Sequence, residues 1–400
     1  MPTRPVVVIC LDGCDPGYLD AGFAAGDLPA FARCRDSGFF GIADAAMPTF
    51  TNPNNVSITT GLPPGGHGVS GNYYLDRETD REVMVTGTEL LAAPTILAGL
   101  AAAGIRVAMV TAKDKLRLAL GHGLPTGAVQ VSAERAGSAT LHENGIADMA
   151  AFVGRAEPSA YSADLSLFVL DAGLALLAAA QPPALLYLSL SDFVQHAHAP
   201  DAPEARAFMR AIDVRIAAFM AAGCLVAATA DHGMSDMAHP DGTPRVAFLG
   251  DILDAEFGPG AVRVICPITD PFVRHHGALG GFVRVHLPAD LVEAAATKLR
   301  AVPAVNQVLT RAEACVRFDL PFGPEGDLAV VAVPGWALGG HAAAHDLDGL
   351  AGARLRSHGG TAERRVPFLL SRPLRANWVE AHPDLRNFDI FDAALNGAEP

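Results

Sequence analysis

Apolar runs and stretches of helical periodicity alternate along this chain. The first run, VVVICL, stops at Asp12 and reads as a strand. Farther on, helix precedes strand three times. The stretch PTILAGLAAA, opened by Pro94 and stopped by Gly104, reads as a helix, and Ile105–Thr111 follows as a strand. Asp164–Ala180 and Glu204–Ala222 carry helical spacing and lead into the strand-like runs Leu185–Leu190 and Cys224–Ala230. Near-continuous apolar strands between amphipathic helices are the signature of parallel strands covered on both faces. The pattern therefore predicts an α/β fold with a doubly wound, mostly parallel sheet.

Between residues 251 and 345 the texture changes. Short strand-like runs (FVRVHL, VNQVLTR, DLAVVAV) surround the helical ADLVEAAATKLRAV, with joints such as PFGPEG. This reads as a small α+β cap inserted into a core formed by 1–250 and 346–400. Val366–Ser371 then returns as a core strand and Asn387–Leu395 as a closing helix.

Composition narrows the partners. The chain has 400 residues, 50% apolar and 18% charged, enough for a large core. Acidic residues outnumber basic ones 43 to 29, a formal charge of −14, so a nucleic-acid backbone would be repelled over most of the surface. A small molecule is the better-matched partner. The longest alanine/leucine stretch is broken by Asp171 and by Gln181-Pro182-Pro183, too soon to span a bilayer. The N-terminal run ends at Asp12 without a cleavage motif and reads as a strand, not a signal peptide. Six scattered cysteines fit buried thiols of a reducing compartment, so the expected location is cytoplasmic. Nothing in the sequence sets the oligomeric state, and a homodimer is compatible with it.

Ligands of open parallel sheets gather beyond the carboxyl ends of the strands. Three apolar runs end there in metal-type side chains: Asp12, then Asp192 with His196 four residues on, then Asp231-His232. Carboxylate oxygen and imidazole nitrogen are zinc's catalytic ligands, and the i, i+4 spacing puts Asp192 and His196 on one face of a helical turn. Any one of these exits alone reads as a helix cap or a turn. Three together read as a metal site, and five ligands exceed one tetrahedral ion, so two metals follow. Zinc is the first expectation, with Mn2+ or Fe2+ acceptable to the same ligands.

The segment MPTFTNPNNVSITTG places Thr51 at a strand-to-helix turn with Pro53 in the first helical turn. The free N–H groups there favour an anion, although a plain N-cap threonine reads the same way. Lysine is scarce: Lys113, Lys115 and Lys298 are the three in the chain, and two of them sit just beyond the strand Ile105–Thr111. His341 and His345 have helical spacing but no strand-end carboxylate, and His67, His122, His198, His275 and His276 read as scaffold. Arg274 is a candidate for steering anions.

In VVVICLDGC, PTFTNPNNVSITTG, HGVSGNYY, VTAKDKLR, YSADLS, DFVQHAHAP, TADHGM, CPITDPFVRHHGALG, LRSHGG and LRNFDI, the chain resembles the phosphonoacetate hydrolase family of the alkaline phosphatase superfamily. These segments occur in order from the first strand to the last helix. The resemblance implies an alkaline phosphatase-like core and two zinc ions, the first on Asp192, His196 and His358 and the second on Asp12, Thr51, Asp231 and His232. It implies that Thr51 is the nucleophile that becomes phosphorylated. It also implies that Asn72 contacts the phosphonyl oxygens and that Lys113 and Lys115 hold the substrate carboxylate.

The implied reaction is hydrolysis of the C–P bond of phosphonoacetate to acetate and phosphate. Expelling a carbanion is the difficulty, and cations at the adjacent carboxylate stabilise its charge as it spreads there. Two alternatives stand beside this reading. One is a phosphodiesterase or nucleotide pyrophosphatase on the same metal core, disfavoured by the 6% aromatic content. The other is a zinc-stabilised binding protein without turnover.

Overall fold

The computed structural model describes residues 4–85, 87–269, 277–347, 350 and 353–400. Arg274, His275 and His276 lie outside the described residues. A seven-stranded sheet forms the centre, in the order Phe39–Asp44, Arg365–Leu370, Leu225–Thr229, Val6–Cys10, Leu185–Ser189, Val107–Thr111, Val129–Ser132. The five strands from Leu225–Thr229 to Val129–Ser132 run parallel, with Val8 beside Tyr187 on one side and Ala227 on the other. Arg365–Leu370 and Phe39–Asp44 extend the sheet antiparallel.

Burial explains the strand sequences. Every residue of Val6–Cys10, Val107–Thr111, Leu185–Ser189 and Leu225–Thr229 is buried, so both faces of these strands are covered and no polar alternation is left in them. Phe39–Asp44 sits at the edge and is mostly half-buried, which is why its sequence, FFGIAD, carries no clear strand pattern.

The helices fall where periodicity puts them, with shifted ends: Ala163–Leu177 and Pro203–Ala221. The helix after Pro94 is shorter than its sequence indicates, Ile96–Ala102, because Thr95 caps it by accepting from the Ala98 N–H at 3.1 Å. Pro94 therefore precedes the cap instead of sitting in the first turn. Gly104 ends the segment at φ +81°, a backbone that residues with a Cβ rarely adopt. The chain closes in a helical segment over 387–397.

Between Leu225–Thr229 and Arg365–Leu370 the chain builds a second, four-stranded antiparallel sheet in the order Arg263–Ile265, Phe282–His286, Leu328–Ala332, Val305–Thr310, with helices Val292–Arg300 and Arg311–Phe318. It has its own apolar core around Phe282, Val283, Leu299 and Val330. The chain leaves the main sheet and returns to it through a short ladder that pairs Ser235 with Ser357 and Asp236 with Arg356. No helix among the described residues is long and apolar enough to cross a membrane. All six cysteines are free thiols, five of them buried.

Candidate functional site

The parallel strands deliver their acidic residues to one rim. Asp12 follows Val6–Cys10, Asp192 follows Leu185–Ser189 and caps the short helix Phe193–Ala197, and Asp231 follows Leu225–Thr229. His196 lies in that short helix, its backbone N–H donating to the Asp192 carbonyl at 3.0 Å. His358 comes from the far end of the chain, brought in beside Ser357 by the ladder to Ser235. The result is two buried groups, Asp192 with His196 and His358, and Asp12 with Asp231 and His232, the ligand atoms of each lying within 4.8 Å of one another.

The two groups touch. The rings of His232 and His358 are stacked with centroids 3.6 Å apart, and His358 Nε2 is 3.9 Å from Asp192 Oδ2. His232 Nε2 lies 3.5 Å from Asp12 Oδ1 and 3.6 Å from Asp231 Oδ2. Thr51 is the first residue of helix Thr51–Thr60, and its Oγ1 lies 3.1 Å from His232 Nε2. The predicted nucleophile and second group are thus brought together.

The histidines are all oriented the same way. Nδ1 of His196 meets the Arg356 carbonyl at 2.6 Å, that of His232 the Gly233 carbonyl at 2.8 Å, and that of His358 the Thr49 carbonyl at 2.7 Å. A carbonyl only accepts, so each Nδ1 donates its hydrogen, and in a neutral ring Nε2 is then an acceptor facing the cluster. His196 Nε2 is 2.9 Å from Asp192 Oδ2. A proton or a metal ion between the two satisfies both electron pairs.

Charge makes the same demand. Burial, with Asp192 and Asp231 close by, pushes the Asp12 carboxyl well above the usual carboxylate range, and Lys113 only partly offsets this. Burial and the imidazoles of His232 and His196 push His358 well below the usual histidine range, so it is held neutral. Asp12 Oδ1 is buried without a hydrogen-bond donor. Oxygen and nitrogen donors in this arrangement fit divalent cations.

The other expected residues fall in different places. Lys113 caps helix Asp114–Leu120, and its Nζ lies 3.6 Å from Asp192 Oδ1, at the metal-type groups themselves. Lys115 lines a recess with Asn52, Val56, Val69, Val85 and Leu91, next to the Thr51 turn. Between them, Asp114 is anchored by Arg117 Nε at 2.7 Å and Ser132 Oγ at 2.9 Å, which holds the lysine-bearing turn against the sheet. Asn72 is tied to the second sheet's approach: its N–H donates to the Pro267 carbonyl at 2.8 Å and its Nδ2 to the Ile268 carbonyl at 3.3 Å. Its Oδ1 is buried without a hydrogen-bond partner.

His341 and His345 do not share a helix. They flank the three-residue turn Ala342–Ala344; His341 Nε2 pairs with Asp254 at 3.0 Å, and His345 lies between Gly340 and Gly277. Sequence reasoning missed Thr49, whose carbonyl orients His358 and whose Oγ1 donates to the Gly360 carbonyl at 2.9 Å. It also missed Glu363, which ties Gly360 to Ser235, and Asn55, one helical turn after Thr51. Only Asn55 carried a signal, its i+4 spacing from Thr51.

Known proteins share this architecture. The family model for type I phosphodiesterase / nucleotide pyrophosphatase matches residues 6–352. The phosphonoacetate hydrolase from Sinorhizobium meliloti, solved in complex with phosphonoformate, is 45% identical and superposes with a TM-score of 0.93, covering 100% of this chain and 96% of that one. Its complex with phosphonoacetate matches at 44% identity and a TM-score of 0.92, with the same coverage. Murine ectonucleotide pyrophosphatase / phosphodiesterase 5 in complex with AMP shares the fold at 17% identity and a TM-score of 0.64, over 99% of this chain and 96% of its own. The chain belongs to the type I phosphodiesterase / nucleotide pyrophosphatase family of the alkaline phosphatase superfamily, and within it to the phosphonoacetate hydrolases.

Proposed function

We propose that this chain is a two-metal phosphonate hydrolase that splits phosphonoacetate into acetate and phosphate through a phosphothreonine at Thr51. The observation that carries the reading is the Thr51 hydroxyl at a helix N-terminus, 3.1 Å from His232 Nε2 of one buried Asp/His group, whose ring stacks on His358 of the other. The 45%-identical hydrolase solved with phosphonoacetate supports the substrate.

Asp192, His196 and His358 would hold one divalent cation, zinc first among the candidates, and Asp12, Asp231, His232 and Thr51 the other. Such cations, when bound, neutralise phosphonate oxygens and make a nearby hydroxyl more acidic. Thr51 Oγ attacks phosphorus in line with the P–C bond. That bond breaks with its electron pair going to the CH2 carbon, and the charge spreads onto the adjacent carboxylate. Lys113 and Lys115 bind that carboxylate and stabilise the charge as it grows, while a proton taken up at carbon completes acetate. The N–H groups opening helix Thr51–Thr60 and the Asn72 side chain orient the phosphonyl oxygens. Water then cleaves the P–O bond of the phosphothreonine, releasing phosphate and restoring the hydroxyl.

The division into a core of 1–250 and 346–400 and a cap of 251–345 is part of the same proposal, supported by the separate apolar core of the second sheet. A cytoplasmic location is supported by the six free thiols. The family match keeps phosphodiester hydrolysis as the second reading. The deciding test measures metal content and then phosphate release from phosphonoacetate, phosphonopyruvate and a nitrophenyl diester, with and without chelator. Two metal equivalents and chelator-sensitive release from phosphonoacetate above the other substrates are expected; faster turnover of the diester would overturn the substrate assignment.

A further inference from the structure

Asn55 is fully buried, and all of its side-chain hydrogen-bonding directions meet partners on three different elements. Its Oδ1 accepts from Tyr187 Oη at 2.7 Å and from Ser189 Oγ at 2.8 Å, both on the strand that leads to Asp192. Its Nδ2 donates to the Thr51 carbonyl at 3.0 Å and to Asp231 Oδ2 at 3.1 Å. The amide cannot be turned over. The reverse orientation would aim Oδ1 at a carbonyl and a carboxylate, neither of which has a hydrogen to give.

Asp231 depends on this contact. Its Oδ1 receives the backbone N–H groups of Gly13 and His232, each at 3.1 Å, and Asn55 is the donor that reaches Oδ2. The same Oδ2 faces His232 Nε2, which in turn faces the Thr51 hydroxyl. One amide group thus spans the backbone of the first turn of the nucleophile helix and the carboxylate of the second Asp/His group.

We infer that Asn55 is a positioning residue that holds the Asp231 carboxylate and the Thr51 turn at a fixed spacing, setting both the affinity of the second cation and the aim of the hydroxyl. The inference rests on the two-metal reading above. Groups that orient metal ligands from behind typically change affinity or activity about 10- to 100-fold when removed.

The test uses Asn55→Leu, similar in size but without the amide, and Asn55→Ser, which is too short to reach Asp231. Metal-free wild type and variants are titrated with Zn2+ against a chromophoric chelator, and their thermal unfolding is recorded. Steady-state rates are then measured on phosphonoacetate at saturating metal. Expected are a second-equivalent affinity about tenfold weaker or more, a first-equivalent affinity within about twofold of wild type, and a kcat about tenfold lower or more with KM within about twofold. If metal-free Asn55→Leu is unfolded, Asn55→Ser decides alone. A folded variant that binds both equivalents and turns over as wild type overturns the positioning role while leaving the two-metal reading standing. Wild type that takes up only one equivalent overturns the two-metal reading, and this inference with it.

Discussion

The rings of His232 and His358 lie face to face, centroids 3.6 Å apart and planes 10° from parallel, although each belongs to a different Asp/His group. The groups therefore share a wall instead of standing as independent sites. A proton on either ring would face the other ring across van der Waals distance, and His358 is held neutral by burial and by its two imidazole neighbours. The His358 ring is thereby kept in the form that binds cations.

Thr51→Ala should abolish phosphate release from phosphonoacetate, with a loss on the order of a thousandfold or more. Thr51→Ser should keep measurable turnover, because the hydroxyl stays at the start of the helix. Phosphate assays at saturating metal check both. Full activity in Thr51→Ala would end the covalent mechanism.

Lys113→Ala should slow phosphonoacetate cleavage about 10²- to 10³-fold, the usual range for losing one group that stabilises transition-state charge. An activated nitrophenyl phosphodiester has no carboxylate to bind, so its hydrolysis should fall much less. Equal losses on both substrates would instead point to the Lys113–Asp192 contact at 3.6 Å as the important one.

Acid should destabilise the protein partly through His67. Burial pushes this histidine down to about 3 from 6.5; its Nδ1 accepts from the Val69 N–H, and its Nε2 lies 2.8 Å from Ser57 Oγ. The folded pKa is the lower one, so the unfolded chain binds the extra proton. Stability from this residue is present above about pH 6.5 and is lost as pH falls toward about 3. His67→Asn should therefore flatten the fall in stability over that window by close to one proton, read from urea unfolding at a series of pH values.

Arg284 and Glu325 form a fully buried ion pair inside the second sheet, with Arg284 Nε 2.8 Å from Glu325 Oε2 and Nη2 2.9 Å from the Ser70 carbonyl. Arg284→Met leaves an unpaired buried carboxylate and should cost about 3–5 kcal/mol. Arg284→Met with Glu325→Leu should recover much of that. Denaturant midpoints of the two variants measure it.

Most of the main sheet was legible in the sequence because four of its five parallel strands are buried on both faces and read as unbroken apolar runs; the fifth, Val129–Ser132, is half-buried at its first two residues, reads VQVS and was not legible. Their exits revealed Asp12, Asp192, Asp231 and His232, and i+4 spacing revealed His196. His358 was not legible from local pattern: it sits in RSHGG, a turn by composition, and reaches the site only through the ladder to Ser235–Asp236. Only the family resemblance named it. Hairpin Tyr73–Met84 and edge strand Phe39–Asp44 escaped because they are half exposed and lack clean alternation. Thr49 and Glu363 act through backbone groups distant in sequence, which no spacing reveals.

That two-rung ladder between Ser235–Asp236 and Arg356–Ser357 has a consequence for how such a protein changes over time. The excursion through the second sheet starts and finishes at one stitch, three residues past His232 and one before His358. Insertions, deletions or exchanges within the excursion are absorbed beyond the stitch and leave each histidine's distance from the stitch unchanged. The fold can thus trade one second sheet for another, as a lathe takes different chucks, while its spindle stays in place.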